Sequence, residues 1–190
     1  MSNTKKFFSP LKLAIIGLMA AYVFVGTNFR IDIPTPLGKT MQHLGNVMCL
    51  LSGLLFGPLV GGLSAGSGSA MFDLFDPAYA PEAWITFINK FIMGFVAGLI
   101  AYSRGAKGDN KVQNIIAAIA GAVSYVILYI AKTFIVNYII QSKNLDVVIP
   151  VVITKGTTSL VNGLIAVIAS IIIALAIRPA LKAAGIFKRL

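Results

Sequence analysis

One short stretch of the chain has the spacing of a serine nucleophile. Gly62-Leu63-Ser64-Ala65-Gly66 matches G-x-S-x-G, the pattern that exposes a serine on a sharp turn between a strand and a helix. Such a serine needs a base within hydrogen-bond reach, and His43 is the only histidine of the chain. Acyl transfer is therefore the chemistry to test, and it requires a fold that brings Ser64 and His43 together.

Three lysines stand inside long apolar runs and indicate a different chemistry. Lys90, Lys132 and Lys155 lie within segments that are rich in aliphatic and aromatic residues. An ionisable group within a bilayer is costly, and it commonly marks a binding or transport site. The alternative is internal pairing, for example of Asp73 with one of the lysines. Neither Cys49 nor His43 has the spacing of a metal site, and we predict no metal and no cofactor.

The composition decides which elements carry these residues. The 190 residues are 57% hydrophobic and only 12% charged, and the mean hydropathy is +0.87. A soluble domain has about twice that charged fraction. We therefore predict an all-α integral membrane protein that forms a single domain over residues 1–190. The net charge of +10 is spread along the flanks of apolar runs, which argues against nucleic-acid binding.

The apolar runs predict six transmembrane helices, since a spanning helix needs about 17–25 apolar residues. Gly57-Pro58 predicts a tight turn between the second and third helices, whereas residues 29–41 predict an irregular loop with Pro34, Pro36 and Gly38. The predicted helices are approximately 11–28, 43–56, 59–75, 83–102, 112–140 and 147–180.

The distribution of Lys and Arg predicts the orientation in the membrane. With the N-terminus inside, the basic residues on the cytoplasmic side include Lys5, Lys6, Lys12, Arg104, Lys107, Lys111, Arg178, Lys182, Lys188 and Arg189. Only Arg30, Lys39 and Lys143 would lie in outer loops. Since Lys and Arg collect on the cytoplasmic side, we predict that both termini are cytoplasmic and that the protein lies in the plasma membrane.

This topology separates Ser64 from His43. Counted from the inner turn, Ser64 is about 9 Å deep and His43 is about 20 Å deep, at 1.5 Å per helical residue. A gap of roughly 10 Å exceeds the reach of a general base. We therefore predict no enzyme. The stretch "GGLSAGSGSA" is instead typical of a surface where helices pack closely in lipid.

The three lysines share one depth, roughly 10–12 Å below the outer surface by the same helical rise. Lysines that merely snorkel would scatter towards the interfaces. Because one outer acid cannot pair with all three lysines, we predict a polar pocket that opens to the outside and binds a small hydrophilic ligand. The predicted pocket residues are Lys90, Lys132, Lys155, Asn89, Trp84, Tyr129, Asn137, Asp73, His43 and Asn162.

The first loop would lie over this pocket as a gate, with Arg30, Asp32, Pro34 and Lys39 in it. Trp84, at the outer start of the fourth helix, is either an interfacial anchor or a stacking surface for a ring. The sequence has no Walker A motif and no deep acidic relay, so it predicts a binding module that lacks its own energy source. A stand-alone secondary carrier remains the alternative.

Two runs of the sequence resemble a known family. "HLGNVMCLLSGLLFGPLVGGLSAGSGSAMFDLFDPAY" and "TFINKFIMGFVAGLIA" are similar to the second to fourth helices of S components of energy-coupling factor (ECF) vitamin transporters. The resemblance implies vitamin binding near the outer face, a transmembrane coupling subunit and two ATPase subunits as partners. It also implies a small-xxx-small contact with the coupling subunit on the first helix, here Ala14, Gly17 and Ala21.

The residues leave the vitamin open. Aromatic and amide groups of the fourth and fifth helices suit a small ring, and the resemblance favours members that bind pyridoxine or hydroxymethylpyrimidine. The lysines would equally suit the carboxylate of pantothenate. Riboflavin, niacin and other B vitamins remain further alternatives.

Overall fold

The computed structural model describes residues 9–190, so the predicted cytoplasmic Lys5 and Lys6 lie outside the described part. The chain is mainly helical, and the π-helical segment Ile135–Ile140 continues the fifth helix. Its α-helices and strands are α1 (Pro10–Asn28), β1 (Arg30–Thr35), β2 (Gly38–His43), α2 (Gly45–Phe56), α3 (Pro58–Phe75), α4 (Ala83–Ala101), α5 (Lys111–Phe134), α6 (Leu145–Ala183) and α7 (Ile186–Arg189).

Local sequence signals fix several of these boundaries. The Ser9 hydroxyl accepts a hydrogen bond from the Lys12 amide, and Pro10 begins α1. The Asn110 side chain caps α5 in the same way by accepting from the Gln113 amide. Gly57 has φ +85°, a value that glycine adopts without steric cost, and it lets α2 turn directly into α3 at Pro58.

The loop after α1 is not irregular, and that prediction was wrong. Residues 30–43 form an antiparallel hairpin in which Arg30 pairs with His43 and Thr35 with Gly38. His43 therefore ends a strand, and α2 begins two residues later at Gly45. We call β1 and β2 together the hairpin, and the end of the bundle that carries it the hairpin end.

Small residues bring α2, α3 and α4 into close contact, which confirms the predicted packing role of "GGLSAGSGSA". A Cβ added at Gly61 would lie 2.5 Å from the Gly53 Cα and 2.8 Å from the Gly94 carbonyl oxygen. Ser64 is fully buried and donates a hydrogen bond to the Ile16 carbonyl oxygen of α1, at 3.3 Å. Its hydroxyl therefore joins two helices, as a packing residue does.

Within residues 9–190, four helices are long and apolar enough to cross a membrane: α1, α4 with its preceding turn, α5 with its π-helical extension, and α6. Helix α2 is apolar but has only 12 residues, about 18 Å at 1.5 Å per residue, which is too short to span a bilayer alone. Large aliphatic side chains such as Ile116, Ile127 and Leu164 are more than half exposed, as expected of surfaces that face lipid.

Candidate functional site

A cavity with a mainly polar lining lies beneath the hairpin, at the hairpin end of α3, α4, α5 and α6. Its free volume is about 60 Å³. Seven of the predicted pocket residues line it: Lys90, Lys132, Lys155, Tyr129, Asp73, His43 and Asn162. Residues from five separate segments therefore meet at one cavity, as the shared depth of the three lysines predicted.

Lys90 is the most deeply placed cation of the cavity, with 3% of its surface exposed. Its ammonium group donates to the Asn46 side-chain oxygen, and it lies 3.6 Å from the centre of the Tyr125 ring. A cation above an aromatic face is attracted by the ring quadrupole, more strongly where water is excluded. Lys90 forms no ion pair with any described residue, so a dipole and a ring stabilise its charge.

Lys132 and Lys155 differ in their partners although both line the cavity. Lys132 forms an ion pair with Glu82, which stands in the short turn before α4. Among residues 9–190, Lys155 has no carboxylate within ion-pair distance and no hydrogen-bond acceptor for its ammonium group. Lys155 is therefore the cation of this cavity that is best able to pair with a ligand anion.

Two tyrosines give the cavity an aromatic wall. Tyr125 and Tyr129 are one helical turn apart on α5, and their rings are nearly parallel, with centroids 5.6 Å apart. The Tyr129 hydroxyl lies 3.3 Å from the Thr40 hydroxyl of the hairpin. The wall can contact a planar ring, because aromatic pairs favour offset-stacked and edge-on arrangements.

Two hydroxyl groups of the cavity lining are left without a partner. The Tyr79 and Ser159 side-chain oxygens are buried and form no hydrogen bond with the described residues. Buried polar atoms are nearly always hydrogen-bonded, so such an orphan needs an explanation. A polar ligand in the cavity would supply the missing partners.

The hairpin is tied down over the cavity at two places. The Asn162 side chain of α6 accepts from the His43 amide at 3.0 Å and donates to the Met41 carbonyl oxygen at 2.9 Å. On the other side, Asp76 at the end of α3 forms ion pairs with Arg30 at 2.8 Å and Lys39 at 3.4 Å. The hairpin therefore closes the cavity through contacts with α3 and α6.

We call the ion pairs of Asp76 with Arg30 and Lys39 the latch. Two of its charged groups, Asp76 and Lys39, have shifted pKa values. Burial alone would raise the pKa of Asp76, but the Ala78 amide, Arg30 and Lys39 together bring it below its ordinary value. The hydrogen bond to Asp32 is the main reason that the pKa of Lys39 is raised, with a smaller contribution from Asp76. Both shifts favour the charged forms, so the ion pairs persist at neutral pH.

His43 is held as a neutral imidazole at the base of the hairpin. Its Nδ1 accepts a hydrogen bond from the Gly45 amide at 3.1 Å. Burial, and then the charges of Lys90 and Arg30, lower the pKa of His43 well below its ordinary value of 6.5. His43 thus offers the cavity a neutral ring rather than a cation.

Three of the predicted pocket residues lie elsewhere. Trp84 is 66% exposed on the outer surface of α4, which fits an interfacial anchor. Asn89 is buried but does not line the cavity, and the Asn137 side chain donates to the Thr133 carbonyl oxygen within its own helix. The predicted gate residues Arg30, Asp32, Pro34 and Lys39 all lie in the hairpin.

Several residues of the lining were not among the predicted pocket residues. Helical spacing could have found some of them, since Thr86 precedes Lys90 by four residues and Ser159 follows Lys155 by four. Others come from the hairpin and the turns, where no periodic pattern places them. The missed residues are Thr27, Thr40, Met41, Ser69, Tyr79, Glu82, Thr86, Tyr125 and Ser159.

The predicted partner contact lies far from the cavity lining, on the outward face of α1. Ala14, Gly17 and Ala21 are all exposed. A Cβ added at Gly17 would have no neighbour within 4 Å. This face is therefore open to a partner helix or to lipid.

One family of known proteins matches most of the chain. A sequence model of the family described as "ECF-type riboflavin transporter, S component" matches residues 7–179. The chain belongs to this family of ECF S components. The family consists of transport subunits rather than enzymes, and with its apolar helices the chain is a multi-pass membrane protein.

Individual relatives of this S component match over shorter stretches. It is 36% identical to an "Uncharacterized protein in gap 3'region" of Pyrococcus woesei over 72 residues. This stretch is 38% of this chain and 47% of the relative. A UPF0397 protein of Lactococcus lactis subsp. cremoris (strain NZ9000) is 31% identical over 90 residues, 47% of this chain and 48% of that protein. A UPF0397 protein of Streptococcus gordonii is 32% identical over 103 residues, 53% of each chain. The chain spans about half the length of these relatives.

Proposed function

We propose that this S component binds a small water-soluble vitamin or vitamin precursor for import, with pyridoxine or hydroxymethylpyrimidine as the favoured ligand. The observation that carries the proposal is the pair of unpaired hydroxyls of Tyr79 and Ser159, two residues that line the same cavity as three lysines. A neutral apolar ligand would leave these groups unpaired, at a cost of about 1–3 kcal/mol for each buried polar group. The ligand is therefore polar.

The dimensions of the cavity support a small ring. The free volume is about 60 Å³ with the hairpin in place, so side chains must move to admit any vitamin. A single six-membered ring with hydroxymethyl groups requires less movement than a vitamin with fused rings. Its face would contact Tyr125 and Tyr129, and its hydroxyls would bond to Tyr79 and Ser159.

Two other ligands have specific support. The description of the matching family names riboflavin, whose three fused rings would require a much larger opening of the hairpin. Pantothenate carries a carboxylate that would pair with Lys155, which has no acidic partner among the described residues. Three lysines face two acids, Asp73 and Glu82, so the lining has room for one ligand anion.

We infer that transport requires partners. The ECF arrangement implies a transmembrane coupling subunit and two ATPase subunits, which would supply the energy that this binding module lacks. The chain would lie in the plasma membrane as a single domain, with both termini cytoplasmic and the hairpin outside. A stand-alone secondary carrier is the alternative, and transport by the purified chain alone in vesicles would support it.

Ligand-induced thermal stabilisation of the purified chain in detergent tests the proposal directly. A ligand that binds only the folded state increases the free energy of unfolding, by about 2.7 kcal/mol when the free ligand is at 100 times Kd, and so raises the melting temperature. The panel contains pyridoxine, hydroxymethylpyrimidine, riboflavin, pantothenate and niacin. A response to pyridoxine or hydroxymethylpyrimidine that is weakened in Tyr79→Phe/Ser159→Ala supports the proposal, because this variant removes the two unpaired hydroxyls. A response to riboflavin or pantothenate alone replaces the favoured ligand, and a response that Tyr79→Phe/Ser159→Ala leaves unchanged rejects the cavity as the site.

A further inference from the structure

A second cavity lies at the opposite end of the bundle from the hairpin, where α1 begins and α4 and α6 end. Its free volume is about 590 Å³, far larger than that of the cavity beneath the hairpin. Its cations come from α1, from the loop between α4 and α5, and from α6 and α7: Lys12, Lys107, Arg178, Lys182 and Lys188. We call it the basic cavity.

Only part of this positive charge is compensated within the protein. Asp109 is the one acidic side chain of the lining, and it is shared by Arg178 at 2.6 Å and Lys182 at 2.8 Å. The hydrogen bonds from Lys182 and Arg178 lower the pKa of Asp109, so it carries a full negative charge at neutral pH. Among residues 9–190, Lys12, Lys107 and Lys188 have no carboxylate within ion-pair distance.

Arg178 gives the cavity a fixed wall. It is 8% exposed, and its guanidinium group donates to Asp109, to the Lys107 carbonyl oxygen and to the Leu54 carbonyl oxygen. One side chain thus ties the end of α6 to the α4–α5 loop and to α2. The Phe187 ring lies 4.7 Å from the guanidinium carbon, and its centroid is 6.3 Å from that of Phe56. The basic cavity therefore combines a rigid polar wall with an aromatic floor.

The preference of Lys and Arg for one side of a membrane does not account for this arrangement. That preference sets how many basic residues lie at one end of a bundle, but not that they surround a cavity. Arg104, Lys111 and Arg189 lie at the same end and do not line the basic cavity. The lining thus concentrates cations from four segments around one space, and three of these cations form no ion pair within residues 9–190.

We propose that the basic cavity binds a phosphate ester, with the headgroup of an anionic phospholipid as its main source. Phosphate oxygens would accept hydrogen bonds from Lys12, Lys107 and Lys188, and basic side chains near an anionic surface are attracted to it. The cavity lies where spanning helices end, which is the depth of lipid headgroups, and Phe56 and Phe187 offer contact to glycerol and acyl carbons. This site is separate from the vitamin cavity and does not depend on the proposed function.

Native mass spectrometry of the full chain with added lipid tests the proposal. The probes are dioleoylphosphatidylglycerol, dioleoylphosphatidylcholine with the same acyl chains but no net charge, and inorganic phosphate. The cavity variant is Lys12→Gln/Lys107→Gln/Lys188→Gln. The matched control, Arg104→Gln/Lys111→Gln/Arg189→Gln, removes the same charge from the same end outside the cavity. We expect the cavity variant to lose at least ~10-fold in affinity for phosphatidylglycerol, and the control to stay within about threefold.

The outcomes separate the sources of the phosphate. Selective loss of phosphatidylglycerol in the cavity variant supports a lipid headgroup. If phosphate binds the wild type but not the cavity variant, and phosphatidylglycerol binds no better than phosphatidylcholine, the site takes free phosphate esters. Equal losses in both variants, or none in either, overturn the proposal. The double variant Lys107→Gln/Lys188→Gln changes only exposed side chains and replaces the triple variant if its melting temperature falls without lipid.

Discussion

Lys155 and Lys132 line one cavity, but only Lys132 has an acidic partner among the described residues. We therefore expect Lys155→Ala to weaken vitamin binding at least ~10-fold without lowering the melting temperature of the empty protein, because it removes a charged contact that only the ligand uses. Lys132→Ala should weaken binding by a similar factor and also destabilise the empty protein, since it leaves the Glu82 carboxylate without its ion-pair partner. Calorimetric titration and thermal melts measure both effects. Lys143→Ala, an exposed change at the hairpin end, serves as the control, and wild-type affinity in both cavity variants would contradict the assignment.

His43 predicts a pH dependence of stability. Its pKa in the folded chain lies well below 6.5, the ordinary value that the unfolded chain retains. Between these two values the unfolded state binds the proton, so stability falls as pH drops below 6.5, by at most about 1.4 kcal/mol per pH unit. We expect the melting temperature to decline from pH 7 to 5. His43→Asn keeps an acceptor for the Gly45 amide and should make this decline smaller. If the melting temperature of the variant falls as steeply with pH as that of the wild type, the decline is due to other groups.

At the scale of elements, the hairpin depends on its latch to α3. Asp76→Asn should speed vitamin dissociation about three- to tenfold, because it weakens the bonds from Arg30 and Lys39 that hold the hairpin down. Asp32→Asn is a matched control, since Asp32 pairs with the same two cations but lies within β1. Stopped-flow displacement of bound vitamin measures both rates. Equal rates in the two variants would show that the latch does not limit release.

The same latch should be insensitive to pH near neutrality. The pKa of Asp76 is lowered in the folded chain, so its contribution is fully present above the ordinary carboxyl value of 3.8 and is lost only as pH falls through the folded value. We expect the wild-type dissociation rate to show no dependence on the ionisation of Asp76 between pH 8 and 5. A threefold or larger increase over this range that Asp76→Asn abolishes would contradict that expectation.

The helices were more predictable than the hairpin for a physical reason. Apolar runs and Gly57-Pro58 signal helices and a turn locally, so α4 begins at Ala83, the residue expected from the sequence. Pro34 and Pro36 argued against strands, yet Pro34 lies in a two-stranded hairpin, where a residue without an N–H is tolerated at an open edge. An isolated hairpin is marginally stable. Its ties to Asn162 and Asp76 join residues distant in sequence, which no local pattern reveals.

The residues of the cavity also differ in how far local sequence could predict their positions. The depth of Lys90, Lys132 and Lys155 was readable from helix counts, because 1.5 Å per residue converts position into height. The ion pair of Lys132 with Glu82 could not be predicted in this way, since Glu82 lies in a turn whose direction depends on the packing of α3 and α4. For Trp84 the sequence left two roles open, an interfacial anchor and a stacking surface, and its exposed position on α4 favours the anchor.

At the scale of the whole molecule, one face of α1 is open to contact from outside the chain. Ala14, Gly17 and Ala21 lie at spacings of three and four residues and are all exposed, so they form one stripe of small residues. Inside the bundle, by contrast, glycines such as Gly61 are fully used for packing between helices. A stripe that allows close approach without an internal neighbour is typical of helix association in lipid.

This contrast makes the partner contact testable without disturbing the fold. A side chain at Gly17 meets no atom within 4 Å, so Gly17→Leu should leave the melting temperature and the vitamin affinity unchanged. It should block assembly with the transmembrane coupling subunit, because a leucine holds two helix axes apart where glycine allows contact. Copurification of the coupling subunit measures assembly, with Ala176→Leu on the exposed side of α6 as the control. A complex that forms equally well with Gly17→Leu would move the contact away from α1 and leave that face to lipid.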